Sequence, residues 1–319
     1  MVLSGRRVHT SKTAKRRTGL GFFRSHARRL FTELLAMLFN HDWIFWLIGL
    51  VNKKLGVIES IFLVYPATDD YSSAYSYAYR SRWHAWKPGP IGFFWQNGKI
   101  GLKFAISAHN GQLGDKEKLC HLVERMEVLR KLLGARRKTF AGILPGVLFM
   151  KRLVRETPEA DVTVEAVKQV IGKVKSLEGL SEDTPVIVLG GKGFIGRRVV
   201  ASLPEDAVHS VDIAGNNGQN VWPSHLQGKP VLLVNISLNS ALGQYINLMW
   251  PKMVIINEVY PEPSDELAEQ LKRVGCHCYH VVGVRARALP SFPGGYQGGI
   301  PCCAAWQSEK MEALFKRIV

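Results

Sequence analysis

The stretch VIVLGGKGFIGRRVVASL, residues 186–203, decides the fold. It combines a short apolar strand, a cluster of glycines and the start of a helix. Gly191, Gly193 and Gly196 have the G-x-G-x-x-G spacing, which allows a tight turn, close approach of the backbone to a pyrophosphate, and close helix–strand packing. The pattern predicts a dinucleotide-binding loop. The same glycines would also suit a turn in an α/β domain that binds no nucleotide.

An acidic residue follows at a fitting distance. The next apolar strand, predicted over 208–213, contains Asp212, which lies 21 positions after Gly191. A carboxylate there accepts hydrogen bonds from ribose hydroxyls, and it would repel a 2′-phosphate. We therefore expect NAD(H) to be preferred, with NADP(H) as the second choice. The predicted cofactor-binding residues are Gly190, Gly191, Gly193, Phe194, Ile195, Gly196 and Asp212.

Strands and helices alternate in this half of the chain. Strands are predicted over 186–189, 208–213, 231–236 and 253–257, and such alternation indicates a parallel sheet with right-handed crossovers. Before it, Asn97-Gly98 separates two apolar runs and predicts a hairpin. Helices are predicted over about 115–133 and 163–177. The predicted class is α/β, with a small N-terminal α/β substrate domain followed by a C-terminal Rossmann-like parallel sheet.

The composition shifts suggest five segments along the 319 residues. They are a basic disordered arm (1–29), apolar helices (30–56), a substrate domain (57–160), the Rossmann-like dinucleotide-binding domain (161–300) and a C-terminal helix that packs back (301–319).

The formal net charge of +16 is uneven, since residues 1–30 hold nine Arg or Lys and no Asp or Glu. Such an arm suits a solvated tail, a nucleic-acid contact, an anionic membrane contact or a transit peptide. No matching alternation of basic residues accompanies the aromatic segment over about 69–90, so we expect a surface loop with ordinary packing and no nucleic-acid partner.

Residues 30–51, LFTELLAMLFNHDWIFWLIGLV, are very apolar but interrupted by polar side chains. No run approaches the ~20 apolar residues that a membrane span needs. Basic residues on both sides favour helices lying in a membrane interface. A buried core helix or a dimer helix fits equally well.

The five cysteines form no regular framework, which favours a reducing compartment. We expect a cytoplasmic protein, either free or peripheral on the inner face of a membrane. Cys276, Cys278 and His280 share one face of a predicted strand, but no second ligand pair completes a metal site, and ordinary packing is expected.

The order of motifs resembles that of aldehyde-forming fatty acyl-ACP reductases and, more distantly, the shikimate dehydrogenase group. The matching pieces are ERMEVLRKLLG, KTFAGILPGVL, VEAVKQVIGKVKSLEGL, VIVLGGKGFIG, IINEVYPEP and PCCAAW. The resemblance covers roughly residues 110–310 and rests on order and spacing. Ala305 replaces the glutamate that follows the family's reactive cysteine.

This resemblance implies that Cys302 or Cys303 carries an acyl group as a thioester, which a hydride reduces. A thiol opening a helix would have a lowered pKa, although a pair of small buried residues is the simpler interpretation. Arg136, Arg137 and Lys138 could contact an acidic carrier protein or a phosphopantetheine phosphate, or cap a solvated helix end.

The sequence thus predicts a nicotinamide-dependent oxidoreductase acting on an acyl thioester or another apolar carbonyl compound. Its alternative is a non-enzymatic dinucleotide-binding sensor or scaffold that docks to a membrane or partner.

Overall fold

A computed structural model describes residues 19–66, 85–212, 222–292, 296 and 298–319. It confirms the predicted α/β class, because helices pack on two mixed sheets. The aromatic segment lies largely outside the described residues, as does the basic arm up to residue 18.

Two apolar helices open the described chain. Helix α1 covers Gly19–Phe39 and α2 covers Asp42–Leu55. The last part of the predicted disordered arm is therefore helical, since no proline or glycine after residue 21 interrupts the propagating turns. Helix α2 ends at Gly56, whose left-handed conformation lets its N–H bond the Asn52 carbonyl. The buried Asn52 side chain also joins α2 to the backbone of Ile58 and Gly134.

No single helix of the described residues is long and apolar enough to cross a membrane. The segments Arg29–Phe39 and Asp42–Leu55 meet that criterion only together, and they are bent by 83°.

The first sheet has five strands in the order β10-β2-β3-β1-β4. Its strands are β1 (Ile58–Val64), β2 (Gly89–Gln96), β3 (Lys99–Ala105), β4 (Arg137–Phe140) and β10 (Arg287–Leu289). Strand β1 pairs in parallel with β3 and β4, whereas β2 pairs antiparallel with β3 through the predicted Asn97-Gly98 turn. Both turn residues have positive φ, as a type I′ turn requires.

Helix α3 (Lys116–Leu133) connects strands β3 and β4 of the first sheet, and helices α4 (Leu144–Met150) and α5 (Pro158–Leu177) lie between the two sheets in the chain. Helix α3 begins at the N-cap Asp115, as the sequence predicts. Pro145 of α4 sits in the first turn, where no N–H partner is needed. Helix α5 begins before the predicted residue 163.

The second sheet has the path β11-β9-β8-β7-β5-β6, with β12 added to β9. Its strands and helices are β5 (Val186–Leu189), α6 (Gly196–Ala201), β6 (Val208–Val211), β7 (Leu232–Asn235), α7 (Asn239–Gln244), β8 (Val254–Asn257), α8 (Asp265–Val274), β9 (His277–Arg285), β11 (Gly299–Ile300) and β12 (Ala313–Arg317). Strands β5 to β8 correspond to the four predicted strands and run parallel, and β9 adds a fifth parallel strand beside β8.

The predicted C-terminal helix over 301–319 is wrong. A three-residue 3₁₀ turn, Cys302–Ala304, is followed by β12, which pairs antiparallel with β9. The edge of β9 offers a row of backbone partners, and such tertiary context overrides helix-like periodicity. The Gln169 side chain of α5 bonds the backbone of Met311 and Ala313 and holds the segment in place.

One apolar core joins the two sheets. It contains Phe62 and Phe94 from the first sheet, Val167 and Val174 from α5, and Val188 from the second sheet. Helix α5 therefore packs between elements of both sheets and fixes the space between them.

Candidate functional site

The glycine-rich loop follows β5 and packs tightly on itself. Gly190 has φ of +90°, so the turn that the sequence assigns to Gly191 falls one residue earlier. A Cβ at Gly196 would lie 2.0 Å from the Gly190 carbonyl oxygen, which leaves no space for a side chain where α6 begins. A Cβ at Gly191 would lie 2.3 Å from the Ser210 hydroxyl oxygen. The glycines therefore bring the loop, α6 and β6 into direct backbone contact.

The Asp212 carboxylate is buried at the end of β6, where the sequence places it. Its Oδ2 accepts the N–H of Lys192 at 2.9 Å, so it organises the loop. Its main-chain carbonyl accepts the hydroxyl of Tyr245 at 3.1 Å. Tyr245 in turn stacks on Trp222, with ring centroids 5.4 Å apart.

The N–H groups of the loop differ in their partners. The N–H of Gly193 bonds the Gly190 carbonyl at 2.9 Å. In contrast, no acceptor for the N–H of Phe194 or Ile195 is found among the described residues. An anionic oxygen at the loop would satisfy such donors.

Phe194 links the loop to the first half of the chain. Its ring lies 5.6 Å from that of Phe149 in α4, and the Arg198 guanidinium lies 4.7 Å above it. Arg198 is held by Asp161 and Thr157 near the start of α5. The loop is therefore attached to both α4 and α5.

A cavity of about 1120 Å³ opens beside this loop. Its walls come from both sheets and from α1, α4 and α5, and Phe194 and Ile195 form part of them. Ser237 and Glu258, which follow β7 and β8, contribute the wall at the carboxyl ends of the strands. Most of the wall is apolar.

Two carboxyl groups from different elements, Glu159 and Glu258, line this cavity, and both act electrostatically on Cys303. Glu159, in the first turn of α5, is only 2% exposed, and burial raises its pKa to about 7. The N–H of Phe140 partly opposes that shift. Glu258 is only half-buried as a residue, but desolvation of its carboxyl group raises its pKa to about 7. The Glu258 carboxylate has no hydrogen-bond partner within the described part of the chain. Both groups can gain or lose a proton near neutral pH.

A buried lysine lies in the same wall. Lys103 of β3 is 2% exposed, and burial lowers its pKa to about 7. Its ammonium donates to the Pro290 carbonyl and lies 4.7 Å from the centre of the Phe292 ring. A ring face and one carbonyl offset only part of the desolvation, which explains the direction of the shift.

Cys302 and Cys303 line the cavity, but the predicted lowering of the thiol pKa is wrong. In the described C-terminal segment no helix follows them, so no helix dipole acts on them. Burial raises the pKa of Cys303 to about 12, and that of Cys302 rises well above its usual range. The Glu258 carboxylate adds to both shifts. The pair is therefore placed at the cavity without thiolate activation.

A polar ladder at the strand ends was missed by the sequence analysis. The Asn235 amide donates to Asn257 Oδ1 at 2.7 Å, and Asn257 contacts His280 Nδ1 at 3.2 Å. All three are buried at or near the carboxyl ends of β7 and β8 and in β9, where they fix the loops that carry Ser237 and Glu258. The sequence does contain a signal for this ladder, because a polar residue ends each of the apolar strands β7 and β8.

The remaining candidates have partners within the chain. Arg137 bonds Glu59 at 2.9 Å and Lys138 bonds Glu127 at 2.8 Å, so these cations already form ion pairs. Cys278 is buried and His280 belongs to the polar ladder. Among the residues described, no group of three or more His, Cys, Asp or Glu could hold a metal ion.

No known family model matches the chain, and no curated protein matches it. A function can therefore be inferred only from the geometry of the loop and the cavity.

Proposed function

We propose that the chain is a nicotinamide-dependent oxidoreductase that acts on an apolar carbonyl compound held in the cavity. The observation that carries this proposal is the junction of loop and cavity at Phe194 and Ile195. In doubly wound sheets, a dinucleotide lies across the carboxyl ends of the strands. The order β6-β5-β7-β8-β9 has the same pattern of crossovers as such sheets.

The residues present fit a dinucleotide. The N–H groups of Phe194 and Ile195 would bind its pyrophosphate, and Asp212 would lie near its ribose. Ser237 and Glu258 follow the neighbouring strands β7 and β8 and line the cavity. A reduced nicotinamide, when bound, supplies a hydride.

Glu258 is the residue we assign to proton transfer. It stands at the strand ends and in the cavity wall. At neutral pH a carboxyl group with a pKa of about 7 is partly protonated, so it can protonate the oxygen of a reduced carbonyl. The apolar wall excludes water, so the proton of the Glu258 carboxyl group passes to the substrate oxygen and not to solvent.

The experiment is NADH oxidation followed by absorbance, with a long-chain aldehyde and a short water-soluble one as substrates. We expect turnover with the long-chain compound only. Glu258→Gln should lower kcat while leaving the NADH Kd unchanged. Turnover that is unchanged in Glu258→Gln would overturn the assignment of the acid.

The non-enzymatic alternative is favoured by one observation, the raised pKa of both cysteines. Under that alternative NADH binds with no turnover of any carbonyl substrate. Absence of binding of both NADH and NADPH would exclude both functions.

A further inference from the structure

Helix α2 is apolar on two opposite faces. One face packs on α3 through Phe45 and Gly49, and a Cβ at Gly49 would meet the Leu132 carbonyl at 1.8 Å. The other face presents side chains that are 40–63% exposed, namely Trp43, Trp46, Leu47 and Leu50. Their spacing of three and four residues aligns them in one stripe. A stripe of this kind on the outside of a protein marks an interaction surface.

This stripe belongs to a larger concentration of exposed apolar side chains. Of the 21 large hydrophobic residues exposed in the described chain, 12 lie between Leu30 and Leu55. Scattered exposure is ordinary in proteins, whereas such clustering is not.

The apolar surface continues into the cavity. Met37 of α1 is 72% exposed and also lines the cavity. The other exposed apolar residues that line the cavity are Ile143, Met150, Leu238 and Tyr260. The mouth of the cavity therefore has an apolar rim that joins the surface of α1 and α2.

Charge identifies the occupant of this surface. Residues 1–30 carry nine basic and no acidic residues. Lys54 lies three turns after Trp43, on the same stripe, and it is exposed together with Lys53. A second copy of the chain would carry the same formal charge of +16, which opposes self-association. An anionic bilayer offers both the apolar interior and the complementary charge.

We propose that α1 and α2 dock on an anionic lipid bilayer and hold the mouth of the cavity against it, so that an apolar ligand enters from the bilayer. The statement that this ligand is a substrate rests on the proposed function. The docking of α1 and α2 on the bilayer does not depend on it, because docking needs no cofactor.

The test is sedimentation of the full chain with vesicles of phosphatidylcholine, with or without phosphatidylglycerol. We expect binding to the anionic vesicles, weakened by salt because exposed charges are screened. The double variant Trp43→Ser/Trp46→Ser should lose at least about tenfold in partitioning. Trp95→Ser is the matched control, since Trp95 is 40% exposed on β2 and is not part of the cavity wall.

The position of the mouth is tested by a second pair of variants. Leu238→Asp, at the rim, should also weaken vesicle binding, whereas Leu248→Asp should not, although the two leucines are 56% and 47% exposed. Circular dichroism on the same samples checks folding, and NADH binding measured beside it separates this proposal from the proposed function.

Three results would overturn the docking. The first is a full chain that remains in the supernatant with anionic vesicles. The second is equal vesicle binding by the two members of a variant pair. The third is a dimer, seen by light scattering, that dissociates in the double tryptophan variant. A chain that docks without binding either NADH or NADPH would refute only the proposed function.

Discussion

The glycine-rich loop and the cavity beside it surround their carboxyl groups with different kinds of neighbours. Asp212 has a backbone N–H donor at 2.9 Å, and its loop is held by contacts between glycines. Glu159 and Glu258 face an apolar space in which burial raises the pKa of each to about 7. The loop therefore offers fixed polar groups, and the cavity offers groups that exchange protons.

This difference indicates what each region can bind. Preorganised N–H groups and a charged carboxylate suit a polar ligand with phosphates and hydroxyls. An apolar wall with few titratable groups suits a ligand that is mostly hydrocarbon and has one reactive polar atom. The contact at Phe194 brings the two halves of this site together.

The most severe way to break the loop is to add a methyl group to it. In Gly196→Ala the new Cβ lies 2.0 Å from the Gly190 carbonyl oxygen, so the loop must move. We expect NADH binding to fall by at least about 100-fold, and the free energy of unfolding to fall by about 2–4 kcal/mol. Gly172→Ala, in an exposed part of α5 with no atom within 4 Å, should instead stabilise by about 0.5–1 kcal/mol. Calorimetric titration measures the NADH affinity, and urea unfolding measures the free energy of unfolding. Equal values for the two variants would contradict the close packing at Gly196.

The desolvation of carboxyl groups in the cavity is tested by the variant Glu159→Gln. The folded-state pKa of Glu159 is about 7, against an ordinary value of 4.5, so the folded protein binds an extra proton between these values. The free energy of unfolding therefore falls as pH rises through that window. Glutamine removes the titration but still accepts from Phe140. We expect the variant to be the more stable protein at pH 8, by on the order of 1–3 kcal/mol, with little gain at pH 4.5.

Urea unfolding at the two pH values gives the measurement. Glu165→Gln is the control on the same helix, because Glu165 pairs with Lys168 at 3.6 Å at a more accessible position. An unchanged difference between wild type and Glu159→Gln across the pH range would show that Glu159 is not desolvated.

A subtler change separates the charge of Asp212 from its hydrogen bond. Asp212→Asn keeps an oxygen for the Lys192 N–H and loses the negative charge. Wild type should prefer NADH, and the variant should shift the ratio of NADPH to NADH affinities toward NADPH by about tenfold. Fluorescence titration with both cofactors tests this, with Asp206→Asn, an exposed carboxylate before β6, as control. A preference for NADPH in the wild type would refute the assignment.

The loop and the sheet around it were predictable because their signals are local. The strand at 186–189, the glycines and Asp212 lie within 30 residues, and the Asn97-Gly98 hairpin needs only its own turn chemistry. The titratable groups of the cavity gave no such signal. Lys103 and Glu159 come from different elements, and only the packing of α5 between the sheets brings them to one space.

The helix predicted for the C-terminal segment was wrong for the same reason, namely that the deciding contact is not local in the sequence. Its apolar spacing and lack of glycine suit a helix, but the unpaired edge of β9, which is distant in sequence, makes it a strand. That error carried over to the cysteines, because the predicted thiolate depended on a helix start at Cys302. Long-range pairing thus changed both an element and the chemistry assigned to it.

The smallest expected effect concerns these two cysteines and sharpens the contrast between loop and cavity. Because burial raises the pKa of both thiols, Cys302 and Cys303 should react with iodoacetamide more slowly at pH 7.5 than Cys120 of α3, whose pKa is raised mainly by its hydrogen bond to Glu124. Cys120 and Cys303 are both partly exposed, so their comparison tests the pKa of the thiol and not its accessibility. The rates of Cys302 and Cys303 should rise about tenfold per pH unit up to pH 10, because only the thiolate reacts. Glu258→Gln removes a neighbouring negative charge and should modestly speed the labelling of Cys302. Mass spectrometry after timed exposure distinguishes the sites. Fast labelling of either thiol at pH 7.5, altered by NADH, would instead restore a thioester mechanism and show that the cavity activates a nucleophile.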